Sequence, residues 1–526
     1  MVPFGESSLA LKSEEKSTFI ISLCLHAFVL LPILIADRFN VDDWGRSVMG
    51  YLNWGLDGRP LTDFIVAALD IGRPLVDFSP ISQIGSILCL SWLSAIVARR
   101  FTIKGPFLAA LVTLPFGANP FFLANLSFKF DSLPMTLSLA FALLPVVMDG
   151  PSSRHDRRSV VIGTLLLLAS LCIYQASLNA FLVIACLEYL FHQKNSATPK
   201  AVASLITRRL VQLFIAIFVY RIVALFTIHE PYSVEHSTLV SGTGALSNVL
   251  QNLATFWSFS LGMLTETLKS TLVFPILLAL LTSIAIGLRY ALKAAINFKW
   301  LWIAGAFAIP ILMLLGTFGF LIFLRSSPPG ARALIGFGAL LASSLILLTS
   351  VLTDIAVPGK LQCLLFSIPT YTMIAFAAIY GNATKAQWKY ENHIAEKLTD
   401  DLKELLAGEP ARSLVIDGSV GYAPLVNQMA NKRYRLLFHL VQIDMRANCH
   451  PVLRYFGIKV PAMTAEPQRT SILAQTATSS ALRSSVHYKI FIVDHDLVCS
   501  PEFRHVTPSL NGGVPESMRR YRVFRA

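Results

Sequence analysis

Charge is scarce in this chain. Asp, Glu, Lys and Arg make up 14% of its 526 residues, while 54% are hydrophobic. With a mean hydropathy of +0.60, this composition excludes an ordinary soluble domain, which needs far more polar surface. Cysteine chemistry is also lacking: the seven cysteines form no CxxC and no zinc-type Cys/His spacing. Cys24, Cys89, Cys172, Cys186 and Cys363 lie in apolar runs and read as packing residues. Cys449 and Cys499 lie near the C-terminus, where an oxidising compartment would let them pair if the fold brings them together. There is no GxGxxG and no P-loop, so nucleotide hydrolysis or nucleotide-sugar binding through such a loop has no support. The histidines show no metal spacing, and no segment repeats. His26, inside the first apolar run, reads as a packing residue.

What is present is a series of long apolar runs. About 20 such residues cover the hydrocarbon core of a bilayer. Spans are expected near 17–36, 81–98, 105–123, 133–149, 159–174, 177–192, 209–228, 271–289, 300–323, 334–352 and 361–380, eleven in all. The polar break Tyr174-Gln-Ala-Ser177 divides a run too long for one span. The first run follows Lys12, Glu14, Glu15 and Lys16 without a small-residue cleavage site, so it is expected to be retained. The net charge of +13 reads as basic loops rather than nucleic-acid binding. Arg99, Arg100 and Lys104; Arg154, Arg157 and Arg158; Lys194, Lys200, Arg208 and Arg209; and Arg289, Lys293 and Lys299 fall on one side. This places the N-terminus inside and, with eleven spans, the C-terminal region outside.

The expected organisation is therefore a polytopic α-helical membrane domain over 1–380 and a small α/β domain over 381–526. In the latter, Arg412–Gly418, Tyr434–Val441 and Tyr488–Asp494 read as strands and Ala423–Ala430 as a helix. The Pro-, Gly- and Arg-rich tail from Ser500 reads as loosely ordered.

The loop after the first span, 37–80, holds seven Asp and four Arg but no Lys or Glu. Trp44–Leu56 and Phe64–Ile71 read as helices lying along the membrane surface. Asp42 and Asp43 suit general-base work, in which one carboxylate takes a proton and the other orients a partner. Helix capping is the alternative for either. Asp43 is favoured as the base because it directly precedes the Trp44 helix.

Arg46, Arg59 and Arg73 suit bidentate phosphate binding, or salt bridges to Asp57 and Asp63. Trp44 and Tyr51 offer sugar-stacking faces. So does the segment Asn119–Met135, where Asn125, Lys129 and Asp131 alternate with aromatics, although an interfacial aromatic belt would look the same. Tyr174 and Gln175 should face protein or a cavity rather than lipid. Arg221, within an apolar run, should pair, serve the site, or snorkel. Arg325 and Arg332 flank Pro328–Pro329 in a stiff loop suited to a lipid-linked phosphate or to a plain connector.

Together these segments resemble the type II glucosyltransferase family of O-antigen modification, within the C-type glycosyltransferases. The resemblance rests on Asp42-Asp43-Trp-Gly-Arg46, Gly50-Tyr51, Gly58-Arg-Pro-Leu61 and Asn119-Pro-Phe-Phe-Leu123. It continues through Asn125-Leu-Ser127, Phe130-Asp-Ser-Leu-Pro-Met135, Tyr174-Gln-Ala-Ser177 and the segment from Pro328-Pro329 to Leu334-Ile-Gly-Phe337, covering about 30–340. It implies transfer of a glucosyl group from a polyprenyl-phosphate donor to a surface polysaccharide or its lipid-linked precursor. The reaction would occur on the periplasmic side of a bacterial inner membrane, with Asp42 or Asp43 catalytic and Arg residues holding the lipid phosphate. No cofactor and no metal are implied. A lipid-linked sugar flippase, or a polysaccharide polymerase or ligase, is the competing reading.

Overall fold

The computed structural model describes residues 10–148, 157–229, 231–293, 299–326, 330–408, 413–447, 449–462, 466–476, 479–493 and 496–501. The Pro328–Pro329 turn and the tail beyond Pro501 lie outside the described residues.

The chain is a polytopic helical membrane protein with a small sheet near its C-terminus. Among the described residues, eight helices are long and apolar enough to cross a bilayer: Ser13–Ala36, Ile81–Arg100, Gln175–Lys194, Pro199–Thr227, Glu266–Lys293, Lys299–Phe323, Ile335–Asp354 and Gly359–Ala407. The other three expected spans are helical but shorter. Ser132–Val147 has 16 residues and Arg157–Ile173 has 17. The segment expected at 105–123 is broken into Pro106–Thr113 and Pro115–Ala118. Pro115 lacks an N–H and starts a new helix, a position proline tolerates. Apolar side chains of the outer helices, such as Phe214, Phe218, Leu225 and Phe226, are exposed. That is the surface a lipid-facing helix presents. Arg221 is exposed on the same helix, so it is not buried in the bundle.

The break at Tyr174 is present. Arg157–Ile173 ends, Tyr174 is extended, and Leu178–Lys194 begins after one 3-10 turn. The loop 37–80 carries the helices Asp42–Met49 and Pro60–Asp70 with a 3-10 turn at Gly55–Asp57. The first is shorter than expected, because Gly50 takes the left-handed conformation (φ 71°) that ends a helix.

The helix Gly359–Gly408 has 50 residues, about 75 Å at 1.5 Å per residue. Its far half therefore extends well beyond a membrane, and Ile394, Ala395, Leu398 and Leu402 pack there into a second core. The 380/381 division falls inside this helix. Four strands complete the region: β1 (Leu414–Ile416), β2 (Arg483–Ser484), β3 (Tyr488–Val493) and β4 (Asp496–Pro501), in the order β1-β4-β3-β2. β1 runs parallel to β4, and the other pairs are antiparallel. Alternating residues point to opposite faces. Ile490, Leu497 and Cys499 meet the long helix on one face, and Phe491, Val493 and Val498 pack with Ile472 on the other.

One expectation is corrected here. Tyr434–Val441 is not a strand; it turns into the helix Leu437–Leu440. Leu436, Leu437, Leu440 and Val441 are the buried positions, a helical spacing that a short apolar run does not disclose. Cys449 and Cys499 are both buried in one core and both free.

Candidate active site

The first helix ends at Asp37, whose left-handed backbone (φ 42°) turns the chain sharply. Arg38 then points inward. Its guanidinium donates to Asp444 (2.6 and 3.0 Å), Glu391 (2.7 Å) and the Gln442 carbonyl (2.6 Å). Val41 sits at φ 31°, a strained region for a β-branched residue that the surroundings must hold in place. The turn around it is pinned by Asp43. One carboxylate oxygen of Asp43 accepts the backbone N–H of Asn40 (3.1 Å) and of Lys129 (3.0 Å).

Asp42 and Asp43 thus occupy opposite environments. Asp43 is 1% exposed. Burial pushes its carboxyl up to about 7, against the two backbone N–H groups and the nearby Arg46, which act to lower it. The Asp42 side chain is 43% exposed and lies 3.8 Å from Arg46 and 3.7 Å from Arg332. Arg46 is buried with its guanidinium 3.9 Å from the Trp54 ring centroid and near Tyr51. Arg332 lies over Phe128, and its carbonyl accepts from buried Asn125 (3.2 Å). Segments 42–46, 125–128 and 332 therefore converge on one carboxylate.

A cleft of about 330 Å³ opens at Asp37, Asn40 and Ser127, lined mostly by polar residues, Asp77, Gln83 and Lys129 among them, and not by Asp42 or the two arginines. Lys129 is buried and bridges Asp37 (2.7 Å) and Asp77 (3.0 Å). Burial opposes its charge, but hydrogen bonds and attraction from these two carboxylates outweigh this and raise its pKa.

Other expected site residues fill scaffold positions. Arg59 makes a two-pronged pair with buried Asp131, donates to the Ile173 carbonyl (2.6 Å), and lies against Tyr174. Gln175 donates to the Gly58 carbonyl (3.3 Å) and the Tyr220 hydroxyl (2.6 Å). Gly58 takes φ 74°, and a β-carbon there would meet that hydroxyl. Trp44 is fully buried against Phe39, Trp388 and Tyr455, so its face is taken by protein. Arg73 and Arg325 are exposed, and the structure does not bring them or Arg221 to Asp42 through any ion pair. Among the described residues, no three His, Cys, Asp or Glu side chains form a cluster able to hold a metal.

Arg38, Asp37 and Asp77 were visible only as members of the charged loop. Glu391 and Asp444 carry no local signal, because their partner is more than 350 residues away.

A family model for glucosyl transferase GtrII matches residues 31–379. A Salmonella phage P22 protein, described as an uncharacterized 55.3 kDa protein in the gtrB 5' region, is 25% identical over 420 residues. The match covers 78% of this chain and 84% of that protein. No solved structure matches. The matched residues include the end of the first membrane helix, the loop after it, the convergent arginines and the later membrane helices up to the far half of the longest, and on that extent the chain belongs to the GtrII glucosyl transferase family.

Proposed function

We propose that this membrane glucosyl transferase takes its sugar from a polyprenyl-phosphate-linked donor. The acceptor is a surface polysaccharide such as O-antigen, or its lipid-linked precursor. The reaction takes place on the periplasmic side of a bacterial inner membrane, with the N-terminus cytoplasmic. That orientation draws on the basic residues gathered at the end of the helices carrying Arg100, Lys194 and Lys299.

The observation that carries the reading is the half-exposed Asp42 carboxylate between the guanidinium groups of Arg46 and Arg332. In this proposal Asp42 is the base. The acceptor oxygen attacks the anomeric carbon and forms the new C–O bond while its proton passes to Asp42. The bond from the anomeric carbon to the phosphate oxygen breaks, and the electron pair leaves with the polyprenyl phosphate. Arg332, with Arg46 behind it, meets the added negative charge without a nucleotide or its loop. Asp43 does not touch the acceptor; it holds the Asn40–Asp43 turn so that Asp42 faces outward. The polar cleft lined by Asp37, Asp77, Gln83 and Lys129 offers carboxylate and amide partners to sugar hydroxyls.

The test is mass spectrometry of the surface polysaccharide from cells carrying the wild-type gene, no gene, or Asp42→Asn. Loss of one hexose per repeat in the deletion and in the Asp42 variant, with the variant present in the membrane, supports the proposal. A retained hexose in Asp42→Asn moves the base elsewhere. A change in chain length on deletion favours a polymerase instead.

A further inference from the structure

The family match ends at residue 379, yet the loop that holds Asp42 is fastened to residues beyond it. Arg38 is buried, as are Glu391 and Asp444. One guanidinium nitrogen of Arg38 donates to Glu391, to Asp444 and to the Gln442 carbonyl at 2.6–2.7 Å. A second nitrogen reaches Asp444 at 3.0 Å. Glu391 in turn accepts the Met445 backbone N–H (3.1 Å), which locks its own position. A second contact is independent of this charge cluster. Trp44, on the helix that starts at Asp42, packs against Trp388 of the long helix and Tyr455 of the helix Cys449–Tyr455.

These two contacts bracket the strained turn. Arg38 lies four residues before Asp42 and Trp44 two after it, with Val41 at positive φ between them. Charge explains why the anchor is a fork between two carboxylates. A buried guanidinium facing two carboxylates is held in direction as well as place, whereas an apolar plug would let the turn rotate.

We propose that Asp444 and Glu391 are positioning residues for glucosyl transfer, acting through Arg38 to set the turn that aims Asp42. The C-terminal α/β region is in this view part of the catalytic apparatus, although it supplies no group that touches substrate. The proposal rests on the reading that Asp42 and Arg332 form the transfer site.

The experiment uses the full chain in detergent. It follows radiolabelled glucose from polyprenyl-phosphate-glucose into lipopolysaccharide prepared from cells lacking the gene. Asp444→Asn and Glu391→Gln keep shape while replacing each carboxyl group by a neutral amide. Each is expected to lower kcat by about tenfold or more, since small misplacements of reacting groups are costly. The donor KM should stay within about twofold and the melting temperature within about 3 °C. Arg38→Lys combined with Asp444→Asn should lose no more than the worse single variant, because both act through one contact. An unchanged kcat per folded molecule in Asp444→Asn and Glu391→Gln overturns the proposal and leaves the anchor purely structural. If a carboxylate variant does not accumulate, Arg38→Lys keeps the cation and decides in the same way. Asp42→Asn run alongside separates the two readings. If it transfers glucose normally, the site is wrong whatever Asp444 does; if it is inactive while Asp444→Asn is normal, only the positioning role falls.

Discussion

Two clusters of charge sit at opposite ends of the helix bundle, and they are built differently. At the end away from the long loop, Glu188 is fully buried between Arg100 and Arg209. Its oxygens accept three guanidinium bonds at 2.8–2.9 Å. Arg100 also donates to the Val146 carbonyl, and Arg209 to Gln212, which reaches the Ser159 carbonyl. Each carboxylate oxygen is spent on an arginine, and five helices are tied together. At the loop end, by contrast, Asp42, Arg332, Asp37 and Asp77 keep solvent-facing atoms beside the buried anchors Arg38, Asp43 and Lys129. A buried cluster whose carboxylate oxygens are all taken up by arginine is scaffold. One that keeps part of its charge facing a cleft retains capacity for a ligand.

That contrast can be broken by mutation. Glu188→Gln leaves two buried guanidinium groups without their carboxylate and is expected to cost about 3–5 kcal/mol. This is read as lost folded yield and a lower melting temperature, with transfer per folded molecule unchanged. A folded Glu188→Gln that cannot transfer glucose would mean the buried cluster also serves the reaction.

The next largest effect is a pH dependence. Burial holds Asp43 at about 7 in the fold, above its ordinary value of 3.8. Folding therefore favours the protonated carboxyl. Its contribution to stability is complete below about pH 4 and is lost as pH rises through about 7. The melting temperature should fall between about pH 5 and pH 8, by at most a few kcal/mol of stability, and Asp43→Asn should flatten that fall. An unaltered slope in Asp43→Asn would show that another group titrates.

Arg59→Lys sharpens the comparison within the loop itself. Loss of the two-pronged contact to Asp131 should cost about 1–3 kcal/mol, with the donor KM within about twofold. A raised donor KM at unchanged stability would put Arg59 on the lipid phosphate. The smallest effect is expected at Arg221→Ala: exposed on its helix, it should alter stability by no more than about 0.5 kcal/mol. A tenfold loss of transfer there would bring Arg221 to the donor after all.

Much of the helical architecture was legible from apolar run length, because a bilayer demands long apolar helices whatever their neighbours. The two helices of the loop, the break at Tyr174 and the strands β1 and β3 were likewise legible from local pattern. The segment 434–441 was misread because eight mixed apolar residues satisfy helix and strand alike. Trp44 and Arg59 looked like ligand-facing groups by residue type, but packing against Trp388 and Asp131 uses their surfaces.

By itself, the sequence determined that this chain lives in a membrane, where its eight long apolar helices fall, and that one loop concentrates carboxylates and guanidinium groups. These follow from composition and local spacing. Only the tertiary structure decided which of two adjacent Asp residues is buried and which is open, that Arg332 comes to Asp42, and that Glu391 and Asp444 hold Arg38. The physical reason is that burial and ion pairing depend on contacts between residues hundreds of positions apart, and no local pattern encodes such contacts.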